Sequence, residues 1–166
     1  MTAKKRLAAL LASDEGIADR ILAAFEPAAE PRMSSPEAAA AIVRPLLAGR
    51  GEERLVVVAL DRRRNVIEVE TLTIGGTAIT IVEARQIFRW ALTRKRATNA
   101  IIIAHNHPSG DPSPSTQDRD VTRRVAHAGR LLGIPLLDHV VIGVGSSFWS
   151  FAAAGDLPIY SDDPLL

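Results

Sequence analysis

The chain contains no cysteine. That excludes a disulfide framework and any metal site built on thiolates, and it makes the cytoplasm the expected compartment. Long apolar runs are also missing, for nothing approaches the ~20 consecutive apolar residues that a transmembrane helix needs. Lys4, Lys5 and Arg6 precede an apolar patch, but Ser13, Asp14 and Glu15 break it. It is too short for a secretory signal. Aromatics make up only 4% of the chain, and Trp90 alone stands near a basic cluster. That leaves little for a surface that stacks nucleic-acid bases.

What is present is an ordinary globular composition. The 166 residues are 47% hydrophobic, enough for one domain with a real core. Charge is unevenly placed: residues 54–130 carry 13 Lys+Arg against 7 Asp+Glu, while residues 131–166 carry none against 4. The basic stretch includes Arg62–Arg64, Arg94–Arg96 and the series Arg119, Arg123, Arg124 and Arg130. It reads either as a weak nucleic-acid contact or as solvated loops and helix faces.

Periodicity supplies the elements. Leu7, Leu10, Leu11, Ile17, Ile21, Leu22 and Phe25 recur at helical spacing, so residues 1–34 are expected to form a short helical extension that ends in a linker (27–35). The main domain is then 35–166. Ser35-Pro36-Glu37 marks a helix start, running to about Ala48 before Gly49. Leu55–Leu60 and Val66–Thr73 read as a hairpin around the charged turn 61–65. Thr80 with Glu83 fits a capping box for a helix whose apolar positions are Ile87, Phe88, Ala91 and Leu92. Ala100–Ala104 reads as a buried strand, and Val121, Val125, Ala128 and Leu132 as a helical stripe stopped by Gly133. Two further strands, Leu136–Ile142 and Ser147–Phe151, precede an irregular tail. Helices and strands in this order predict an α/β (α+β) sheet with helices packed on it.

The stretch that carries chemistry is Ala104-His105-Asn106-His107-Pro108 through Ser115 and Asp118. On a strand end, His105 and His107 at i and i+2 leave the same face. Asp118 lies across a Pro/Gly/Ser loop, one turn into a helix. Two neutral imidazoles and a carboxylate are the protein ligands of a catalytic zinc site with its fourth position open. The same residues also allow a plainer reading, in which Ser115-Thr116-Gln117-Asp118 is a helix-capping box beside a chance His-x-His pair. His127 reads as a surface or packing residue, and His139 as a satisfied core residue or one that orients a neighbour.

His105-x-His107-Pro108, six residues, Ser115, two residues, Asp118 resembles the JAMM signature of the JAB/MPN metalloprotease fold. The longer run HNHPSGDPSPSTQD, followed by a helix and GIPLLDHVVIG, is similar to the RadC family of bacterial proteins over roughly Glu53 to Phe151. The resemblance implies a JAB/MPN, cytidine-deaminase-like sheet flanked by helices. It implies Zn2+ held by His105, His107 and Asp118, Ser115 assisting an oxyanion, and a glutamate as general acid/base. Counting back from Leu60-Asp61 puts Glu53 in that role, with Glu52 one residue off and Glu70 further away. The implied reaction is hydrolysis of a peptide or isopeptide bond in a protein or peptide substrate, away from any membrane. The family name also brings a rival expectation, a DNA-repair or mobile-element module with a mainly structural zinc. Two departures stand out: Ala84-Arg85-Gln86-Ile87-Phe88 replaces the family's Pro-Arg-Glu-Ile-Phe, and Arg54 stands where a histidine is frequent. Residues 1–50 show no Gly-rich hairpin of the helix-hairpin-helix type.

Overall fold

The structure is a computed structural model that describes residues 31–74 and 84–158. Most of the expected N-terminal extension, the Thr80/Glu83 capping box and the last eight residues lie outside the described residues. Among the described residues, five strands form one mixed sheet in the order β2-β1-β3-β4-β5. They are β1 (Arg54–Leu60), β2 (Val66–Ile74), β3 (Ala100–Asn106), β4 (Leu136–Ile142) and β5 (Phe148–Ser150). Three helices join them: α1 (Pro36–Leu47), α2 (Ala84–Leu92) and α3 (Thr116–Leu132). The α/β class and the JAB/MPN architecture expected from the sequence are therefore present.

The topology follows from the connections. β1 and β2 form the expected antiparallel hairpin; in its turn the Asp61 carboxylate accepts from the backbone of Arg63 and Asn65, and Arg64 takes the left-handed φ of 65°. β1 also pairs antiparallel with β3, whereas β3 and β4 run parallel because α3 carries the chain back between them. Residues 31–33, expected to be linker, are tied to the hairpin turn: Met33 N–H donates to Arg64 O at 2.8 Å, and the Met33 side chain is buried.

β1 and β3 are buried along their length, so the sheet is covered on both faces. Alternate residues sort into two clusters. Val56, Val58, Leu60, Ile102, Ala104, Val140 and Ile142 pack under α1. Leu55, Val57, Ile101 and Ile103 pack under α2 and α3, against Ile87, Phe88, Val121 and Val125. Burying a side chain such as Ile87 or Phe88 contributes roughly 1.5–3 kcal/mol.

Two expected core positions face solvent instead. Leu92 is 61% exposed and Leu132 49%. Each ends its helix, and at the end of α3 the chain reverses through Gly133 at φ 68°. Ile134, whose N–H donates to Gly129 O at 2.8 Å, folds back into the core beneath the helix end. The buried stripe of α3 is Asp118, Val121, Thr122, Val125 and Gly129, so two polar side chains occupy a face that apolar periodicity assigns to hydrocarbon.

Candidate metal centre

β3 ends in His105 and Asn106, and the loop that follows carries His107. The residues on either side of His105 point to the α1 face, so its own ring points to the α2/α3 face, where Asp118 enters from the first turn of α3. His105 Nε2 lies 3.0 Å from His107 Nε2 and 3.1 Å from Asp118 Oδ1, and His107 Nε2 lies 3.3 Å from Asp118 Oδ2. His105 and Asp118 are buried, and His107 keeps 18% of its side-chain surface. Among the described residues, this is a group of three side chains whose donor atoms all converge.

The donor set fits a metal ion. His107 Nδ1 sits 2.7 Å from Asp111 O. A carbonyl oxygen only accepts, so in neutral His107 the proton is on Nδ1 and Nε2 presents a lone pair. Two ring nitrogens and a carboxylate then face one another, a grouping that needs a cation or a proton between its members. His105 approaches Oδ1 and His107 approaches Oδ2 of the carboxylate, and one donor atom from each of the three side chains lies within 4.8 Å of the others.

Electrostatics point the same way. Burial pushes the Asp118 carboxyl up, but hydrogen bonds from His105, His107 and Ser115 outweigh it and hold the group well below the carboxylate range. His107 is raised above 6.5, chiefly by its hydrogen bond to Asp118 and against burial, with Glu53 adding a charge contribution. An anion beside a histidine that holds its proton is a pair in which a bound cation can take the proton's place.

Ser115 caps α3. Its Oγ accepts from Asp118 N at 3.1 Å and donates to Asp118 Oδ2 at 2.7 Å, and its own N–H reaches Oδ2 at 2.6 Å. The capping box is thus real, and it also fixes the carboxylate of a prospective ligand, so the structural and functional readings of Ser115 share one geometry. Glu53 precedes β1, where Leu55 pairs with His105. The paired register ends at Leu55, and Glu53, two residues earlier, is near enough to His107 for its charge to help raise that histidine. Glu70 is exposed on β2 opposite Val57, with β1 between it and the histidines. A cleft of about 350 Å³ opens beside His107, bordered by Pro108, Gly110, Gly51 and Val144.

Three contributors were not assigned a place here by motif reading. Asn106, between the two histidines, points to the opposite face and grips the chain around Glu53. Its Oδ1 accepts from Arg54 N at 3.0 Å, and its Nδ2 donates to Glu52 O at 3.0 Å and Arg50 O at 3.3 Å. His139 contacts His105 Nδ1, and Thr122 contacts His139. Thr122 stands one turn after Asp118, a spacing that shows in the sequence once the carboxylate is taken as a ligand. His127 is an exposed residue of α3. In the basic stretch, Arg94 pairs with Glu68, Arg96 with Asp61, Arg119 with Asp156 and Arg123 with Asp120.

A parallel strand pair ending in His-x-His, faced by a helix-borne aspartate, defines a JAB-type α/β domain able to hold a metal ion. The chain belongs to the RadC-like JAB domain family, whose model matches residues 33–156. It is 40% identical to a UPF0758 protein of Symbiobacterium thermophilum over 74% of this chain and 51% of that one. It is 45% identical to a UPF0758 protein of Shouchella clausii over 69% of this chain and 49% of the relative. A UPF0758 protein of Rubrobacter xylanophilus is 40% identical over 82% and 58%. The chain thus spans about half the length of the curated relatives it matches. Among the described residues, no helix is long and apolar enough to cross a membrane.

Proposed function

We propose that this domain is a zinc-dependent hydrolase of the JAMM type that cleaves a peptide or isopeptide bond. The observation that carries the reading is the convergence of His105 Nε2, His107 Nε2 and the Asp118 carboxylate, with Glu53 near enough to act on the charge of His107. Cysteine-free N2O ligation with room for water suits zinc. When bound, zinc supplies a positive charge that polarises the scissile carbonyl and acidifies water. Glu53 takes the proton of the attacking water and returns it to the leaving amine. Ser115 holds the Asp118 carboxylate and, by turning its hydroxyl, donates to the oxyanion of the substrate.

Metal analysis of the purified full chain, paired with a peptide-library cleavage screen with and without chelator, tests this reading. His107→Ala loses bound zinc; Glu53→Gln keeps zinc and loses hydrolysis. Full activity in Glu53→Gln removes Glu53 from the mechanism. A nucleic-acid role through residues 54–130 gains no support from a basic stretch in which four arginines pair with acids of the same domain. Absence of duplex binding at low salt ends that reading.

A further inference from the structure

His139 lies within β4 and Thr122 on the buried face of α3; neither belongs to the ligand set. Both are buried, together with His105 and Asp118. Three contacts link them in a line. His105 Nδ1 is 2.8 Å from His139 Nε2, His139 Nδ1 is 2.7 Å from Thr122 Oγ1, and Thr122 Oγ1 is 2.6 Å from Asp118 O.

Each end of the line dictates a direction. The Asp118 carbonyl only accepts, so the single hydroxyl proton of Thr122 points at it, and Thr122 Oγ1 must accept from an N–H at His139 Nδ1. At the far end, a metal on His105 Nε2 requires a lone pair there, so the proton of neutral His105 sits on Nδ1 and donates to His139 Nε2. The two ends agree. One tautomer of His139, protonated on Nδ1 and bare on Nε2, satisfies both. Its ring is held in that orientation by stacking on Phe151, at 4.9 Å between centroids and 11° between planes.

We propose that His139 and Thr122 are positioning residues for the metal centre. They lock His105 with Nε2 bare and tie its ring to the peptide of Asp118, so that one buried hydrogen-bond chain registers a ligand from β3 against a ligand from α3. This rests on the metal-binding part of the reading above and is independent of what is hydrolysed. A histidine serving only to fill space needs no such direction. Replacing Thr122 by valine keeps the shape but removes the acceptor. The buried Nδ1–H of His139 is then unpaired, and the least costly repair moves its proton to Nε2. That N–H then donates to His105 Nδ1, which places the proton of His105 on Nε2, where the metal would bind.

The test uses the full chain and zinc alone, titrated against a chromogenic chelator, with ring-nitrogen NMR of ¹⁵N-histidine-labelled protein. In zinc-loaded wild type, His105 and His139 are both expected to carry their proton on Nδ1. Thr122→Val is expected to lower zinc affinity about 10- to 100-fold with no ligand changed, and Thr122→Ser to restore it. A zinc-loaded wild type with His139 protonated on Nε2 overturns the proposal without any variant. So does a folded Thr122→Val protein with wild-type affinity. Wild-type protein that takes up no zinc overturns the proposal together with the metal reading, whereas zinc uptake without hydrolysis touches only the proposed activity.

Discussion

Asp118 and Asp138 are both buried carboxylates, one on each face of the same sheet, and they are shifted in opposite directions. Asp138, beside the α1 cluster, accepts from Ser150 Oγ at 2.6 Å and Ala152 N at 2.9 Å, yet burial dominates and its pKa is raised. Asp118 is buried too, but two imidazoles and Ser115 close around it and hold it ionised. Depth alone does not decide the charge of a buried acid; its partners do. The α1 face uses its aspartate to fasten the chain after β5. The α3 face holds its aspartate as an anion between two imidazoles and the helix cap.

The contrast is sharpest when one face is damaged and the other watched. His107→Ala removes one of the three proposed ligands and is expected to abolish stoichiometric zinc, measured by elemental analysis, while the metal-free protein still unfolds cooperatively. Leu47→Ala, in the centre of the α1 cluster, is expected to cost about 2–5 kcal/mol in denaturant unfolding and to leave zinc stoichiometry intact. If either change crossed over to the other readout, the two faces would not be separable.

Acidity divides the faces further. In metal-free protein, His107 holds its proton above the ordinary 6.5, a proton that zinc would have to displace in the proposed site. Zinc affinity is therefore expected to fall as pH drops through the raised value, about tenfold per unit for one proton displaced, as read by chelator competition. A pH-independent affinity would show that His107 is not a ligand. For Asp138 the sign differs. Its folded carboxyl holds the proton above 3.8, so between 3.8 and the folded value the native state binds more protons than the unfolded one. Stability then falls as pH rises, by at most ~1.4 kcal/mol per unit. Asp138→Asn is expected to flatten that slope in urea titrations run at several pH values, the smallest effect of the set.

Much of this was written in residue order. Helix start and stop residues (Ser35-Pro36, Ser115, Gly133) and the β-branched runs at 55–60 and 100–104 act locally, through backbone preference and a hydrogen bond or two, so their consequences show within a few residues. His105, His107 and Asp118 were legible for a similar reason: i, i+2 spacing on a strand and a place in the first turn of a helix define directions before any packing occurs. Two helix-end leucines misled, because periodicity marks a face but not where the neighbouring element stops, and Ile134 took the core position beneath the end of α3.

Pairing across the sheet is another matter. The alignment of Leu55 with His105 carries the segment before β1 to the end of β3, where Glu53 acts on the charge of His107; hydrogen bonds between residues fifty positions apart set it. The parallel pairing of β3 with β4 brings His139 beside His105, and the packing of α3 on that face brings Thr122 to His139. The chain's own order determined which side chains could bind a metal. Only the folded sheet decided which neighbours aim them, because burial on both faces left strand alternation unable to tell a hydrocarbon position from a polar one.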